Sequence, residues 1–208
     1  MKVIDQELWA RKEHFKVLSG RDVPFYCITA DVDVTNLKEY CKNQNISFYY
    51  ALVYLATDAL NNTENFRYKI QGDNVILYDE LIPSFTDLEP GSDLYKGVTL
   101  KKVGDIKEFC HAASVESNQQ TEYFPNIPFP LDQLIHFSMV PWINFTGFKN
   151  QFYIDKDDSI PKVTFGKYIN KEGRLQMPLN IEVNHRLVDG IHLGKFFNDL
   201  QMRIADLS

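Results

Sequence analysis

Residues 174–190 read RLQMPLNIEVNHRLVDG, and apolar and polar side chains alternate along this stretch as far as Asn184. Successive side chains of a β-strand point to opposite faces, so the alternation predicts a strand over 174–184 with one apolar face. In this alternation His185 falls on the same side as the apolar residues, so its imidazole is expected to face inward if the strand extends that far. Pro178 lacks an N–H for a ladder hydrogen bond, which predicts a position near a sheet edge or a bulge.

The end of this stretch, NHRLVDG (184–190), places an aspartate four residues after a histidine. One interpretation is a core histidine bonded to a backbone carbonyl. Another is a general base, which needs a neutral imidazole, a fixed tautomer and a substrate proton within reach. Asp189 can orient such a base or brace the loop by pairing with a cation. A metal site of His185, Asp189 and His192 has a spacing unlike that of zinc sites, so no metal is predicted.

Helical and strand patterns are interspersed along the rest of the chain. Helices are predicted over 5–18, 36–43 after a Thr35 cap, 48–60 after a Ser47 cap, 104–117 and 190–206. Strands are predicted over 25–34, 67–70, 75–78, 82–88, 134–140 and 162–168. Three prolines in 123–130 predict a loop. The pattern predicts a single α/β (α+β) domain over 1–208, built around a mixed sheet.

The composition narrows the function classes. The chain has 208 residues, 44% hydrophobic and 24% charged, with a net charge of −6, as in an ordinary globular protein without the basic face of a nucleic-acid binder. Three cysteines at no metal-like spacing predict reduced thiols. The N-terminus has no apolar signal region, and the longest mostly apolar stretch, 49–56, is too short to span a bilayer. We therefore expect a cytoplasmic protein without membrane or nucleic-acid partners.

Five segments together resemble the chloramphenicol acetyltransferase family in their residues, their order and their separation along the chain. They are LWARKEHF (8–15), VDVTNLK (32–38), FSMVPWINFTGF (137–148), TFGKY (164–168) and NHRLVDGIHLGKFFNDLQ (184–201). The resemblance implies a two-layer sandwich with a mixed sheet, assembled as a homotrimer with each active site between two subunits. It also implies transfer of an acetyl group from acetyl-CoA, as co-substrate, to a small-molecule hydroxyl, without a metal or an acyl-enzyme.

The resemblance also assigns expected roles to individual residues. His185 matches the family's general base, and Ser138 matches the serine that donates a hydrogen bond to the oxyanion of the tetrahedral intermediate. Thr164 matches a threonine that holds a water against the same intermediate. Asp189 matches an aspartate that pairs with an arginine near the N-terminus, here Arg11, so that the pair fixes the loop. The histidine tautomer is then held by a backbone carbonyl.

Several aromatic residues match substrate-binding positions of the family. Trp142, Phe148 and Tyr168 match positions around the pantetheine and acceptor channels, and Tyr26 and Tyr95 match aromatic residues that contact chloramphenicol. Each also has a plain structural interpretation as a packing residue. Likewise Ser138 can face solvent, and Thr164 is an ordinary strand residue. The functional interpretation depends on their joint occurrence in the order of the family.

The departures from the family pattern cluster on the acceptor side. Asn184 replaces the first of two adjacent histidines, and GSDLYKG (91–97) replaces an acidic-threonine segment. Asn150 and Asp158 stand where apolar pocket residues are common. A polar group in an apolar slot costs a few kcal/mol unless the acceptor or a neighbour satisfies it. These departures leave the expected chemistry unchanged and concern the acceptor. The resemblance makes chloramphenicol the leading acceptor, with another small alcohol or thiol as the alternative.

Two rival interpretations remain open. HRLVDG (185–190) also resembles the acyltransferase core of 2-oxo acid dehydrogenase complexes, which shares the fold and the histidine chemistry. Those chains carry lipoyl and subunit-binding domains that 208 residues do not accommodate. The second rival is a non-catalytic binder of hydrophobic ligands, which has no need for an oxyanion donor.

Overall fold

The computed structural model of the chain describes residues 1–151 and 155–207. The helices are α1 (Lys12–Ser19), α2 (Thr35–Gln44), α3 (Phe48–Asn62), α4 (Glu64–Arg67), α5 (Ile106–Gln119) and α6 (Gly190–Ala205). The strands are β1 (Lys2–Val3), β2 (Phe25–Asp33), β3 (Tyr68–Gln71), β4 (Asn74–Leu77), β5 (Ile82–Leu88), β6 (Tyr95–Thr99), β7 (Leu134–Met139), β8 (Lys162–Phe165), β9 (Ile169–Lys171) and β10 (Arg174–Asn184).

A seven-stranded sheet forms the centre of the described fold. Its order is β2-β10-β8-β7-β5-β6, and β9 pairs with the first residues of β10. The β5–β7 and β7–β8 pairs are parallel, whereas β2, β6 and β9 each pair antiparallel with their neighbours. The predicted mixed sheet and α/β class are confirmed. A smaller sheet, β1-β4-β3, is not hydrogen-bonded to it among the described residues.

The apolar face of the large sheet is covered by helices. Helix α3 is buried on nearly all sides and packs against β5, β7, α5 and α6. The sheet contributes alternate residues such as Phe85, Phe137, Val163 and Ile181 to the same core. Fully burying side chains of this size stabilises a fold by about 1.5–3 kcal/mol each, so this layer supplies most of the driving force for folding.

Strand β10 has the predicted bounds, and it lies next to the edge strand β2, between β2 and β8. The expected position near a sheet edge is therefore found, whereas the register with β2 runs through Pro178 without a bulge. The Pro178 carbonyl accepts the Gly166 N–H at 2.8 Å where β8 has just ended, and the missing N–H faces the same side. A Cβ on Gly166 would lie 2.6 Å from the Pro178 ring. An interior strand thus accommodates proline because its partner ends there in a glycine.

Other boundaries shift for local reasons. Turns occupy the start of the predicted first helix, and α1 begins only at Lys12. Thr35 lies inside α2 and does not cap it; its N–H and hydroxyl both donate to Asp33 Oδ1. Ser47 caps α3 as predicted, by accepting the Tyr50 N–H. Strand β6 was missed because Gly97 and Lys96 interrupt the apolar pattern. Within the described ranges, no helix is long and apolar enough to cross a membrane.

Candidate active site

His185 lies on the turn that connects β10 to α6. The strand ends at Asn184, and the His185 N–H donates to the Pro24 carbonyl at 2.7 Å. The strand does not reach the histidine, so the condition for an inward imidazole is not met, and the His185 side chain is 44% exposed. The parity argument does not apply, because the turn begins at the histidine itself. An exposed imidazole on a fixed turn is accessible to a substrate proton.

Arg11 braces this turn from the start of α1. Its Nε donates to the Arg186 carbonyl at 2.7 Å, and its Nη2 donates to the His185 carbonyl at 2.9 Å. The same guanidinium binds both carboxylate oxygens of Asp189. The hydrogen bond from Arg11 holds the pKa of Asp189 below its usual range. The expected Arg11–Asp189 ion pair is therefore present, and it ties both ends of the turn to one side chain.

Two side chains, those of Asp189 and Tyr26, lie beside the His185 ring. Asp189 Oδ1 lies 3.5 Å from His185 Nε2, which is longer than a normal hydrogen bond. The Tyr26 ring lies 4.6 Å from the imidazole, centroid to centroid, and burial raises the pKa of Tyr26 to about 12. Tyr26 is therefore a neutral phenol at pH 7. Among the hydrogen bonds of the described residues, none links a His185 ring nitrogen to a backbone carbonyl, so the expected tautomer lock stays a prediction.

His192 has a structural contact at the start of α6. The Asp189 N–H donates to His192 Nδ1 at 2.9 Å, which satisfies a donor at the helix N-terminus. Burial lowers the pKa of His192, which keeps that nitrogen available as an acceptor. Over residues 1–151 and 155–207, no group of three or more His, Cys, Asp or Glu side chains is placed to hold a metal ion.

Asn184 and Arg186 join the histidine turn to the segment 156–158. Asn184 Nδ2 donates to the carbonyls of Lys156 and Asp158 at 2.9 Å each, and its Oδ1 accepts from Arg186 N and Nε at 3.1 and 3.2 Å. Arg186 in turn donates to the Lys156 carbonyl and, at 2.9 Å, to the carboxylate of Asp157. The sequence drew attention to Asn184 but not to Arg186.

Arg186→Ala is expected to destabilise the fold by about 2–4 kcal/mol, because it leaves Asn184 Oδ1 and the Lys156 carbonyl without their buried cationic donor. The free energy of unfolding from urea titration measures this loss. Arg21→Ala, at an exposed position, is the matched control and should change it by less than about 0.5 kcal/mol. Equal values for the two variants would contradict the network.

Ser138 and Thr164 are neighbours on the central strands. They are register partners across the parallel β7–β8 pair. Thr86 Oγ1 lies 3.4 Å from Ser138 Oγ, and Thr164 Oγ1 lies 3.4 Å from Asn150 Oδ1. Thr164 is fully buried, whereas Ser138 keeps some exposure. Two hydroxyls on adjacent strands of one sheet face can converge on a single polar atom of a ligand.

Within one chain, His185 does not join this pair of hydroxyls. Thr164 is the register partner of Asn180, and β10 continues from there to Asn184. Four strand residues at about 3.3 Å each place the end of β10 about 13 Å beyond Thr164. A reacting group must lie within about 3 Å of both the base and the oxyanion donor. The structure therefore brings Ser138 and Thr164 together and holds His185 apart from them.

The aromatic candidates occupy different places. Tyr95 lies on the edge strand β6 with its ring 5.8 Å from Phe124, and Trp142 is 68% exposed. Tyr168 packs 5.7 Å from Phe48. The Phe148 carbonyl accepts from Asn180 Nδ2 at 3.0 Å. Among the described residues, ring contacts do not join these five aromatic candidates into one pocket: Tyr26, Tyr95, Trp142, Phe148 and Tyr168.

The sequence model of the chloramphenicol acetyltransferase family matches residues 1–201. The chain belongs to this family. A chloramphenicol acetyltransferase of Staphylococcus aureus is 32% identical over 202 residues, which cover 95% of this chain and 93% of that protein. Chloramphenicol acetyltransferase 3 of Escherichia coli is 30% identical over 200 residues, with the same coverage of both chains. Membership of the chloramphenicol acetyltransferase family identifies the chain as an acyltransferase enzyme.

Solved structures extend the likeness to three dimensions. A chloramphenicol acetyltransferase structure superposes with a TM-score of 0.89 at 25% identity and covers 98% of this chain and 99% of its own. A probable dihydrolipoamide acetyltransferase from Listeria monocytogenes superposes with a TM-score of 0.64 at 15% identity, over 100% of this chain and 95% of its own. The second likeness concerns the fold alone.

Proposed function

We propose that the protein is an acetyl-CoA-dependent O-acetyltransferase, with chloramphenicol as the leading acceptor. The observation that carries the proposal is the exposed imidazole of His185 on a turn that Arg11 holds at two carbonyls and at Asp189. A base on a fixed turn needs little reorganisation when it takes a proton. Membership of a family whose relatives are named chloramphenicol acetyltransferases supports the choice of co-substrate and acceptor.

The proposed reaction is a direct transfer. His185 takes the proton of the acceptor hydroxyl while that oxygen attacks the thioester carbonyl carbon of acetyl-CoA. The carbonyl oxygen becomes an oxyanion that Ser138 stabilises by donating a hydrogen bond, and Thr164 holds a water against the same oxygen. Collapse of the intermediate breaks the C–S bond, and the imidazolium returns the proton to the sulfur. An oxyanion donor of this kind contributes about 10²–10³ in rate.

The site is proposed to form between two copies of the chain, in a homotrimer. Thr164 pairs with Asn180, and β10 runs about 13 Å further to its last residue, Asn184, which directly precedes His185. This separation of the base from the hydroxyl pair within one chain supports the arrangement. In one chain, the base cannot reach a thioester whose oxygen is held by Ser138 and Thr164. A cyclic assembly brings His185 of one copy to the hydroxyl pair of the next and gives identical sites at each interface.

Mixed oligomers test this arrangement. His185→Ala and Ser138→Ala chains, unfolded and refolded together in equal amounts, are expected to recover about one quarter of the wild-type activity. At each interface the copy that supplies the base has an intact His185 in half of the cases, and the copy that supplies the donor has an intact Ser138 in half of the cases. Thiol release from acetyl-CoA with chloramphenicol measures the recovery. The same variants mixed without refolding are the control. A refolded mixture no more active than its separate components would show that base and donor act within one chain.

Two alternatives have distinct outcomes in the same assay. Thiol release with another small alcohol or thiol, but not with chloramphenicol, retains the chemistry and changes the acceptor. A non-catalytic binder of hydrophobic ligands gives no thiol release with any acceptor. We also propose a cytoplasmic location, which is supported by three cysteines that are all free thiols.

A further inference from the structure

Lys69 is a fully buried lysine that the proposed reaction does not use. It lies on β3, in the smaller sheet, with 0% of its surface exposed. Its Nζ donates to the Ser159 carbonyl at 2.7 Å, and within the described ranges this is the only hydrogen bond that Nζ makes. An ammonium group carries three N–H donors, and burying donors without acceptors is unfavourable. The surroundings of Lys69 therefore suit a neutral amine better than an ammonium.

The charged and titratable neighbours of Lys69 come from β7, β8 and the segments that precede them. Asp132 lies just before β7 and His136 lies on it, while Asp158 and Lys162 lie at the entrance to β8. Lys162 Nζ binds Asp158 Oδ2 at 2.6 Å, so this carboxylate is already paired without Lys69. Burial outweighs the attraction of the two carboxylates and lowers the pKa of Lys69 to about 7.

Ser159 connects Lys69 to the end of β10. It binds β3 twice, since its carbonyl accepts from Lys69 and its Oγ accepts the Ile70 N–H at 3.2 Å. The preceding carbonyl, that of Asp158, accepts from Asn184 Nδ2 at 2.9 Å. The segment 156–159 is thus held by Lys69 on one side and itself holds the last residue of β10 on the other.

Asn184 organises the histidine turn that follows it. Its carbonyl accepts the N–H groups of Leu187 and Val188 at 3.1 Å each, and its Oδ1 accepts the Arg186 N–H at 3.1 Å. Ser159, Asn184 and Leu187 also line one small gap in the packing. The gap gives the segment 156–159 room to shift, and such a shift would release the side-chain amide that Asn184 binds to it.

We infer that Lys69 is a positioning residue whose protonation controls how tightly the segment 156–159 holds the histidine turn. In the closed arrangement, which the structure shows, Lys69 is buried and neutral. In the open arrangement Ser159 moves away, water reaches Nζ, and the amine takes up a proton. The consequence for catalysis by His185 rests on the proposed function, whereas the opening of the turn does not.

The direction of the pH effect follows from the lowered pKa of Lys69. Between about pH 7 and the ordinary lysine value of 10.5, the open arrangement binds a proton that the closed one lacks. A falling pH therefore favours opening throughout this range. Below about pH 7 both arrangements carry the proton, so the equilibrium levels off. The closed turn is most populated at alkaline pH.

The test is amide hydrogen exchange of the wild-type protein and of Lys69→Met, in which the side chain cannot titrate, at pH 6, 7, 8 and 9. The protection of amides 186–188, corrected for the exchange rate of an unfolded chain, should stay below that of α3 amides, which marks a local opening. In the wild type it is expected to rise by up to about tenfold per pH unit from pH 7 to 9 and to change little from pH 6 to 7. In Lys69→Met it should be independent of pH.

Lys96→Met is the matched control, because it removes another buried lysine, on β6, and should retain the wild-type pH dependence. Protection of 186–188 that does not vary with pH in the wild type, or that varies equally in Lys69→Met, overturns the inference. Protection equal to that of α3 also overturns it, because the exchange then reports unfolding of the whole chain. Lys69→Gln, which retains a donor for the Ser159 carbonyl, gives the same comparison if Lys69→Met fails to fold. The expected exchange pattern without thiol release with any acceptor supports the inference and overturns the proposed function.

Discussion

Replacing His185 by alanine is expected to lower kcat for acetyl transfer by up to about 10⁴-fold, because the acceptor hydroxyl then has no base to take its proton. The fold should be retained. The backbone contacts of the turn do not use the imidazole: the N–H of residue 185 donates to Pro24 and its carbonyl accepts from Arg11. Free-thiol release from acetyl-CoA measures activity, and sedimentation and thermal unfolding report assembly and stability.

The control for this variant is His111→Ala, which removes an exposed imidazole from α5 and should leave the rate unchanged. Turnover retained by a clean preparation of His185→Ala would exclude this residue as the base. A fall in activity accompanied by loss of the oligomer would assign the side chain to assembly instead. The distinction matters because Tyr26 packs on the imidazole and links it to β2.

The strand 174–184 was predictable because a period of two is a local property of the chain. The regular pairing at Pro178 was not predictable, since an interior proline is permitted by the distant Gly166, where β8 ends. The inward orientation expected for the His185 imidazole did not apply, for a related reason. One residue decides whether a parity continues or a turn begins, and element boundaries are the least certain part of a pattern.

The polar parity of β10 shows another limit of a single sequence. Asn180, Glu182 and Asn184 alternate with apolar residues, a pattern that usually marks a solvated face, yet all three are buried. The burial comes from segments distant in sequence: the Phe148 carbonyl accepts from Asn180, and the carbonyls of Lys156 and Asp158 accept from Asn184. The resemblance to the family supplied the candidate residues, whereas the contacts that surround them became visible only in three dimensions.

Arg11→Ala is expected to lower stability by about 2–4 kcal/mol and to reduce activity with it. The substitution leaves Asp189 unpaired and removes the donor to the carbonyls of His185 and Arg186. The pKa of Asp189 is lowered in the folded protein, so its contribution is present above about pH 4 and is lost as the pH falls through its folded value. The deficit of the variant should therefore be full at neutral pH and shrink in acid.

Lys12→Ala is the matched control, because it removes the neighbouring cation of α1, which pairs with the exposed Glu7. Solvent screens such a surface pair, so stability should change little. Urea unfolding at several pH values, with thiol release in parallel, measures both effects. If activity fell while the free energy of unfolding stayed at the wild-type value, Arg11 would act on the reaction rather than on the turn. Concerted losses support the view that this guanidinium stabilises the loop on which the imidazole is presented.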